Sequence, residues 1–339
     1  MCGTRLYCPG SAGYAAPALL ARLFSVKEER GSLLSTRFRL CVAMVALVLM
    51  MARAMGETSA AVRNARGILQ ARGVEFNSIR EVEGKGIFLD IGETQMSDLS
   101  TLSDLPISHL SLKNCSNVTH LTPLAGLDLV WLVLEKTNVR DLSPLEGKKL
   151  ELLNANQTIV DSIEVLHGMP LSVLWLQDVK IGDIGALEGM PLRDLDISGT
   201  SVTNISVLNN MDSLRSLFMA NTRVRDLSPL AGLPLNHLLI NHTDVTTIHA
   251  LEGMPLMSLY MNNTSVTNID ALAGMNHLRV LHFRDTLVKN ISALRGMPIE
   301  SLHVPDDCVS AGQDILKTLM KLKSLNYSAP YHVEFQPLE

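Results

Sequence analysis

The chain lacks the residue patterns of the common catalytic sites. No G-x-S-x-G, H-E-x-x-H, phosphate-binding loop or dinucleotide fingerprint occurs in its 339 residues, nor the glycine-rich loop, H-R-D and D-F-G of a protein kinase. These absences argue for a protein that is not an enzyme and holds no cofactor. Basic residues are outnumbered, 29 Lys and Arg against 34 Asp and Glu, and beyond residue 54 the balance becomes 22 against 32. An acidic chain repels phosphate backbones and anionic lipid, which argues against nucleic acid as a partner. Cysteine is scarce, with only Cys115 and Cys308 beyond residue 54. The apolar run at 41–52 is shorter than the ~20 residues of a membrane-spanning helix. Aromatic residues are 4% of the chain, and only 2 of them are Trp.

What the chain does have is one phrase written ten times between about Gly86 and Pro298. It reads L-x-x-L-x-L-x-x-T-x-V-x-D-L-S-P-L-x-G-M-P in its clearest form. The last apolar residue of each run serves as an anchor, from Ile91, Leu112 and Leu134 to Met261 and Phe283, with a final strand at Val304. Two residues before each anchor stands a leucine, such as Leu132, Leu153 or Leu259. This alternation marks a half-buried strand in every repeat, and stacked repeats make a parallel sheet. Three residues after the anchor a threonine recurs: Thr137, Thr158, Thr200, Thr222, Thr243, Thr264 and Thr286, with Cys115 and Val179 substituting. We read these as an interior ladder in which each hydroxyl bonds the backbone of the next coil, with Val179 as a gap.

The far side of each repeat carries turn signals. Thr122-Pro123, Ser143-Pro144 and Ser228-Pro229 pair a cap residue with proline at the first helical position. Gly126, Gly147, Gly168, Gly189, Gly232, Gly253, Gly274 and Gly296 follow, with Asp104 and Asn210 in the remaining two repeats. The column reads as a left-handed helix exit. Too few residues remain for full helices, so single 3-10 turns are expected.

These residues resemble the leucine-rich-repeat signature in its short, internalin-like class, with Thr where that class usually carries Asn. The Thr variant is similar to repeats of planctomycete-type and related bacterial proteins. The resemblance covers about two-thirds of the chain. It implies an α/β fold: a right-handed solenoid with a parallel sheet on the concave face and short 3-10 turns on the convex face. It further implies an unidentified protein partner, with no small-molecule cofactor, and a monomer.

A solenoid needs caps, because its ends expose the core. Residues 55–85 are the N-terminal cap, with a helix at Ala60–Arg72 and an extended piece at Ser78–Val82. Residues 86–304 hold the repeats, and 305–339 hold the C-terminal cap helix (Ser310–Leu325) and tail. Cys115 and Cys308 then lie about nine coils apart, roughly 40 Å at the ~4.8 Å strand spacing, and cannot form a bridge within the chain. Upstream, Arg37 and Arg39 precede the apolar run, and Ala52-Arg53-Ala54 follows it as a cleavage pattern. Residues 34–54 therefore read as a signal peptide of a secreted or periplasmic protein. The alternative retains residues 41–52 as a membrane anchor. Residues 1–33 read as a disordered leader, or as one removed by an internal start at Leu33 or Leu34.

The positions a coil does not need are those pointing out of the sheet. Immediately before the anchors stand Trp175, Asp196, Phe218, Leu239, Tyr260, His282 and His303; two residues earlier stand Trp131 and Asp194. Both tryptophans thus fall on the concave face. Solvent-facing rings in a groove are common anchors of protein recognition, and these nine residues are the candidate partner contacts. The competing reading is that the rings cover the sheet and touch each other along it. Asn241, Asn262 and Asn263 are expected to add a polar rim. His282 and His303 fall short of the three or four ligands a metal needs, so no metal is expected.

Overall fold

The computed structural model describes residues 59–326. The chain divides into two units, Met1–Ala54 and Met55–Glu339, and every described residue belongs to the second. The leader, the apolar run at 41–52 and the tail beyond 326 lie outside the described residues. Among the described residues no helix is long and apolar enough to cross a membrane.

Helix α1 (Ala60–Ala71) starts where the Ser59 hydroxyl accepts the Val62 amide, and buries Val62, Ala65 and Leu69. The chain then forms β1 (Ser78–Val82) and β2 (Gly86–Asp90), an antiparallel hairpin. From β2 onward, eleven further strands add in sequence order and in parallel, giving a 13-stranded sheet that ends in β13 (Ser324–Asn326). The sheet is thus parallel except at its first strand. Register is set leucine to leucine: Leu132 pairs with Leu110 on one side and Leu153 on the other. All three are buried, each worth about 2 kcal/mol in apolar burial. The 3-10 turns stand opposite the strands, one per coil, as at Ser143–Leu145 and Ser228–Leu230.

Those turns are capped differently from the expectation. Ser143 and Ser228 are the first residues of their turns, not the caps. The cap comes from two residues earlier: Asp141 accepts the Ser143 amide and hydroxyl at 2.8 and 2.7 Å, and Asp226 does the same for Ser228. A turn this short leaves its first amide exposed at once, and only a side chain already upstream can reach it. These hydrogen bonds hold both carboxyls below the usual carboxylate range. The exit column adopts positive φ from Gly147 onward, Asn210 included. Gly126 and Asp104 do not, because Ala125 and Ser103 extend the preceding turn by a right-handed residue.

The threonine column is buried or half-buried, but its bonds stay inside the coil. Thr137 donates to Leu134 O at 2.8 Å, Thr200 to Ile197 O at 2.6 Å and Thr222 to Met219 O at 2.7 Å, each three residues back. Thr158, Thr243, Thr264 and Thr286 repeat the contact. Each of these hydroxyls closes its own turn. The bond between coils is made one residue after the anchor. Asn156 accepts Gln177 N at 2.7 Å, Asn241 accepts Asn262 N at 2.7 Å, and Asn262 accepts Arg284 N at 2.8 Å. Ser198, with its shorter reach, accepts Ala220 N at 3.2 Å. Asn241 and Asn262 are therefore buried structural residues, not a rim, while Asn263 is exposed. Val179 forfeits only a bond within its own coil.

A second left-handed corner follows each strand, at Glu93, Asn114, Lys136, Gln157, Asp178, Asn221, His242, Asn263 and Asp285. Gly199 is the one glycine in this column, and a Cβ there would run into the Asp178 carboxylate. The C-terminal cap is not one helix over 310–325. It is α2 (Asp306–Ala311) and α3 (Gln313–Leu316), followed by β13. Gly312 separates the helices where any Cβ would strike the Ile291 side chain. Leu325 then pairs with Leu302 as one more strand-centre leucine.

The two polar columns carry different loads. Asn241→Ala leaves the buried Asn262 amide without an acceptor and is expected to cost about 2 kcal/mol, against about 1 kcal/mol for Thr222→Val. Urea unfolding midpoints of the two variants check the order; equal losses would mean the Asn column is not the tie between coils.

Candidate binding face

Strand alternation turns every second side chain out of the sheet, so the outward residues of neighbouring coils form two columns. One runs Val133, Asn154, Trp175, Asp196, Phe218, Leu239, Tyr260, His282, His303. The other runs Phe88, His109, Trp131, Leu152, Val173, Asp194, Ser216, His237, Ser258, Val280, Ser301. All nine sequence-expected contact residues lie in these columns.

Their exposure differs from the expectation of a solvent-facing stripe. Trp131, Asp194, Phe218, Tyr260, His282 and His303 are half-buried. Trp175 is 2% exposed, Leu239 5% and Asp196 3%. On the inside of a curved sheet, neighbours ~4.8 Å away along a column leave an outward side chain little free surface. Asp196 also turns back on the chain, accepting Ser198 N at 2.9 Å, as Asn154 accepts Asn156 N at 3.0 Å.

The rings touch along the columns. His109 meets Trp131 edge to face with centroids 4.5 Å apart. Tyr260 meets His282 in the same way at 4.8 Å, and His282 stacks on His303 at 3.5 Å with planes 3° apart. Serines complete the set: His282 Nε2 and Ser301 Oγ are 3.0 Å apart, and His237 Nδ1 and Ser258 Oγ 2.8 Å. Burial, aided by the neighbouring His303, pushes the His282 pKa down to about 3. Burial, aided by Lys85, pushes His109 down to about 4. His237 is lowered by burial too, and the Tyr260 hydroxyl is raised by it. Burial therefore holds His109, His237 and His282 toward the neutral form, on a face that also carries Asp194 and Asp196.

His109 and Phe88 were outward positions in the repeat but not singled out among the candidate contacts. The signal that could have found them is their neighbour: an outward Trp131 needs something to lean on. Among the described residues no cluster of three or more His, Cys, Asp or Glu is suited to hold a metal.

No family model and no curated protein matches the chain by sequence. Solved structures do match its fold. An internalin from Listeria monocytogenes is 25% identical, with a TM-score of 0.61 over 71% of this chain and 73% of its own. The functional domain of InlJ from Listeria monocytogenes, which includes a cysteine ladder, is 16% identical with a TM-score of 0.52 over 70% of this chain and 52% of its own. Together with one strand and one 3-10 turn per coil, these likenesses define a leucine-rich-repeat solenoid fold. It is the solenoid that the internalins share.

The neutral histidines make stability depend on pH in a fixed direction. Their folded pKa values lie below the unfolded value of about 6.5, so the unfolded chain takes up protons first. Stability is full above that value and falls as pH drops from about 6.5 toward 4. His109→Gln and His282→Gln are expected to flatten the slope between pH 6.5 and 5, where carboxylates contribute little. Urea midpoints across that range check it, and an unchanged slope would refute the assignment.

Proposed function

We propose that this protein is an exported, non-enzymatic binding module that takes a protein partner on the concave face of its solenoid. The observation that carries the reading is the unbroken pair of outward columns, where half-buried rings and imidazoles lie on either side of the acidic pair Asp194 and Asp196. A preformed face loses little ordering entropy on binding. Trp131, Phe218, Tyr260, Asp194, His282 and His303 make the contacts, and Trp175, Leu239 and Asp196 form the floor beneath them. The likeness to an internalin supports a recognition role and not a catalytic one.

The test is affinity capture from the source organism's envelope and medium, using the full chain and a folded Trp131→Ala/Tyr260→Ala variant. Loss of two half-buried rings is expected to weaken a specific partner at least tenfold. A partner held equally by both proteins would move the site off this face. Trp175 is not used, because removing a buried ring opens a cavity.

Export rests on residues 34–54 acting as a cleaved signal peptide. The second reading is the sensor portion of a membrane-anchored signalling system, with residues 41–52 retained as the anchor. N-terminal sequencing of the natural protein separates the two. A start at Met55 is expected, and an intact N-terminus on membrane-bound protein would replace the first reading with the second.

A further inference from the structure

At the N-terminal end of the concave face, Arg80 on β1 pairs across the hairpin with Phe88 on β2. Its guanidinium lies over the Phe88 ring, 3.8 Å from the centroid. Arg80 is 7% exposed, Phe88 6% and His109 3%. Nε and Nη2 of Arg80 are buried with no hydrogen-bond partner, the only such side-chain atoms among the described residues. Burial pushes the Arg80 pKa down, and the nearby Asp90 opposes the shift without bonding those two atoms. Asp90 is instead committed to the Gly92 amide at 3.0 Å.

The identity of the two atoms matters. Nε–H and one N–H of Nη2 point the same way from one edge of the planar guanidinium. That edge takes both oxygens of a single carboxylate in a bidentate pair. Buried donors left unmade are costly, and stacking on a ring offsets only part of the cost. The surroundings select among anions. Asp90 lies near the guanidinium, and Glu151 acts on the same His109 imidazole as Arg80 and Lys85. A phosphate dianion meets that negative charge twice over, whereas a carboxylate meets it once. Lys85 and Glu151 form an ion pair at 2.9 Å, exposed at both ends and so weakly held.

We propose that the unbonded Nε–Nη2 edge of Arg80 is a carboxylate-binding site, and that the partner on the concave face is a peptide segment bearing an acidic side chain or a free C-terminus there. The nature of the carrier rests on the protein-binding reading above; the carboxylate site itself does not. The Phe88 ring fixes the plane of the guanidinium.

The probe is sodium acetate, added at pH 7 to the full chain and compared with sodium chloride and sodium phosphate at equal ionic strength. In arginine-labelled protein the Arg80 Nε–H resonance is expected to shift saturably with acetate and to stay in place with chloride. The melting temperature should rise with acetate in the wild type and not in Arg80→Met. That variant breaks no hydrogen bond made by Nε or Nη2 and is expected to fold; the wild-type resonance decides the matter even if it does not. An Arg80 signal indifferent to acetate, or one moved equally by chloride, overturns the site. A response to phosphate alone overturns the choice of carboxylate. Loss of the acetate effect with partner capture intact removes only this site, and the reverse removes only the protein-binding reading.

Discussion

Coils stacked at the ~4.8 Å spacing of paired strands set the terms for everything else in this protein. No coil buries its apolar face alone, so each strand-centre leucine is covered only when the coil on either side is in register. That requirement fixes the circumference, and hence the repeat of about twenty-one residues. It also fixes a left-handed corner leaving the strand and, from Gly147 onward, a second one leaving the 3-10 turn. The backbone amides that turn inward must find partners as well. The chain meets this with Asn and Ser one residue past the anchor, each tied to the coil ahead. Threonine two positions later closes its own turn. The position after the anchor decides which of the two jobs a residue does.

The same spacing governs the concave face. Outward side chains of neighbouring coils cannot avoid each other at that distance, so rings placed there stack or meet edge to face. The histidines inherit this crowding: packed between neighbours, His282 and His109 lose solvent and stay neutral. Crowding also sorts the aromatic positions by depth. Trp175 sinks between Asn154 and Asp196, both bonded back to their own strands, while Trp131 rides higher on His109. A face made this way is stiff, and its chemistry changes from coil to coil.

The solenoid was legible because its signals repeat. Ten aligned copies expose the strand leucine, the threonine column and the exit glycine, and a single exception such as Asn210 still reads correctly. What escaped was geometry that repetition does not encode. The pattern places Thr222 inside but not the direction of its hydroxyl. It shows Asp141 ahead of Ser143 without saying which one caps the turn. The C-terminal helix was misread because Ile315, Leu319, Leu322 and Leu325 fit a helical face, whereas Gly312 and the pairing of Leu325 with Leu302 impose a break and a strand. On the concave face, membership of the outward columns was readable and depth was not, because exposure depends on the size of neighbours twenty-one residues away.

Buried polar groups then divide into two kinds. Asn241 is buried and bonded, and its contribution returns to the stack that holds it. Arg80 is just as deep, yet its outer edge bonds nothing. The hairpin could hold its register with an apolar residue there, since Ile79 already supplies the inward contact on β1. Replacing a buried charge by an apolar side chain of similar volume is often neutral or stabilising, so packing alone gives no reason for a guanidinium at this place. Stacking on Phe88 keeps the group flat and aimed, which a merely tolerated charge would not require. A residue that the fold neither needs nor satisfies, held in one orientation at the end of the concave face, is best understood through what it would bind.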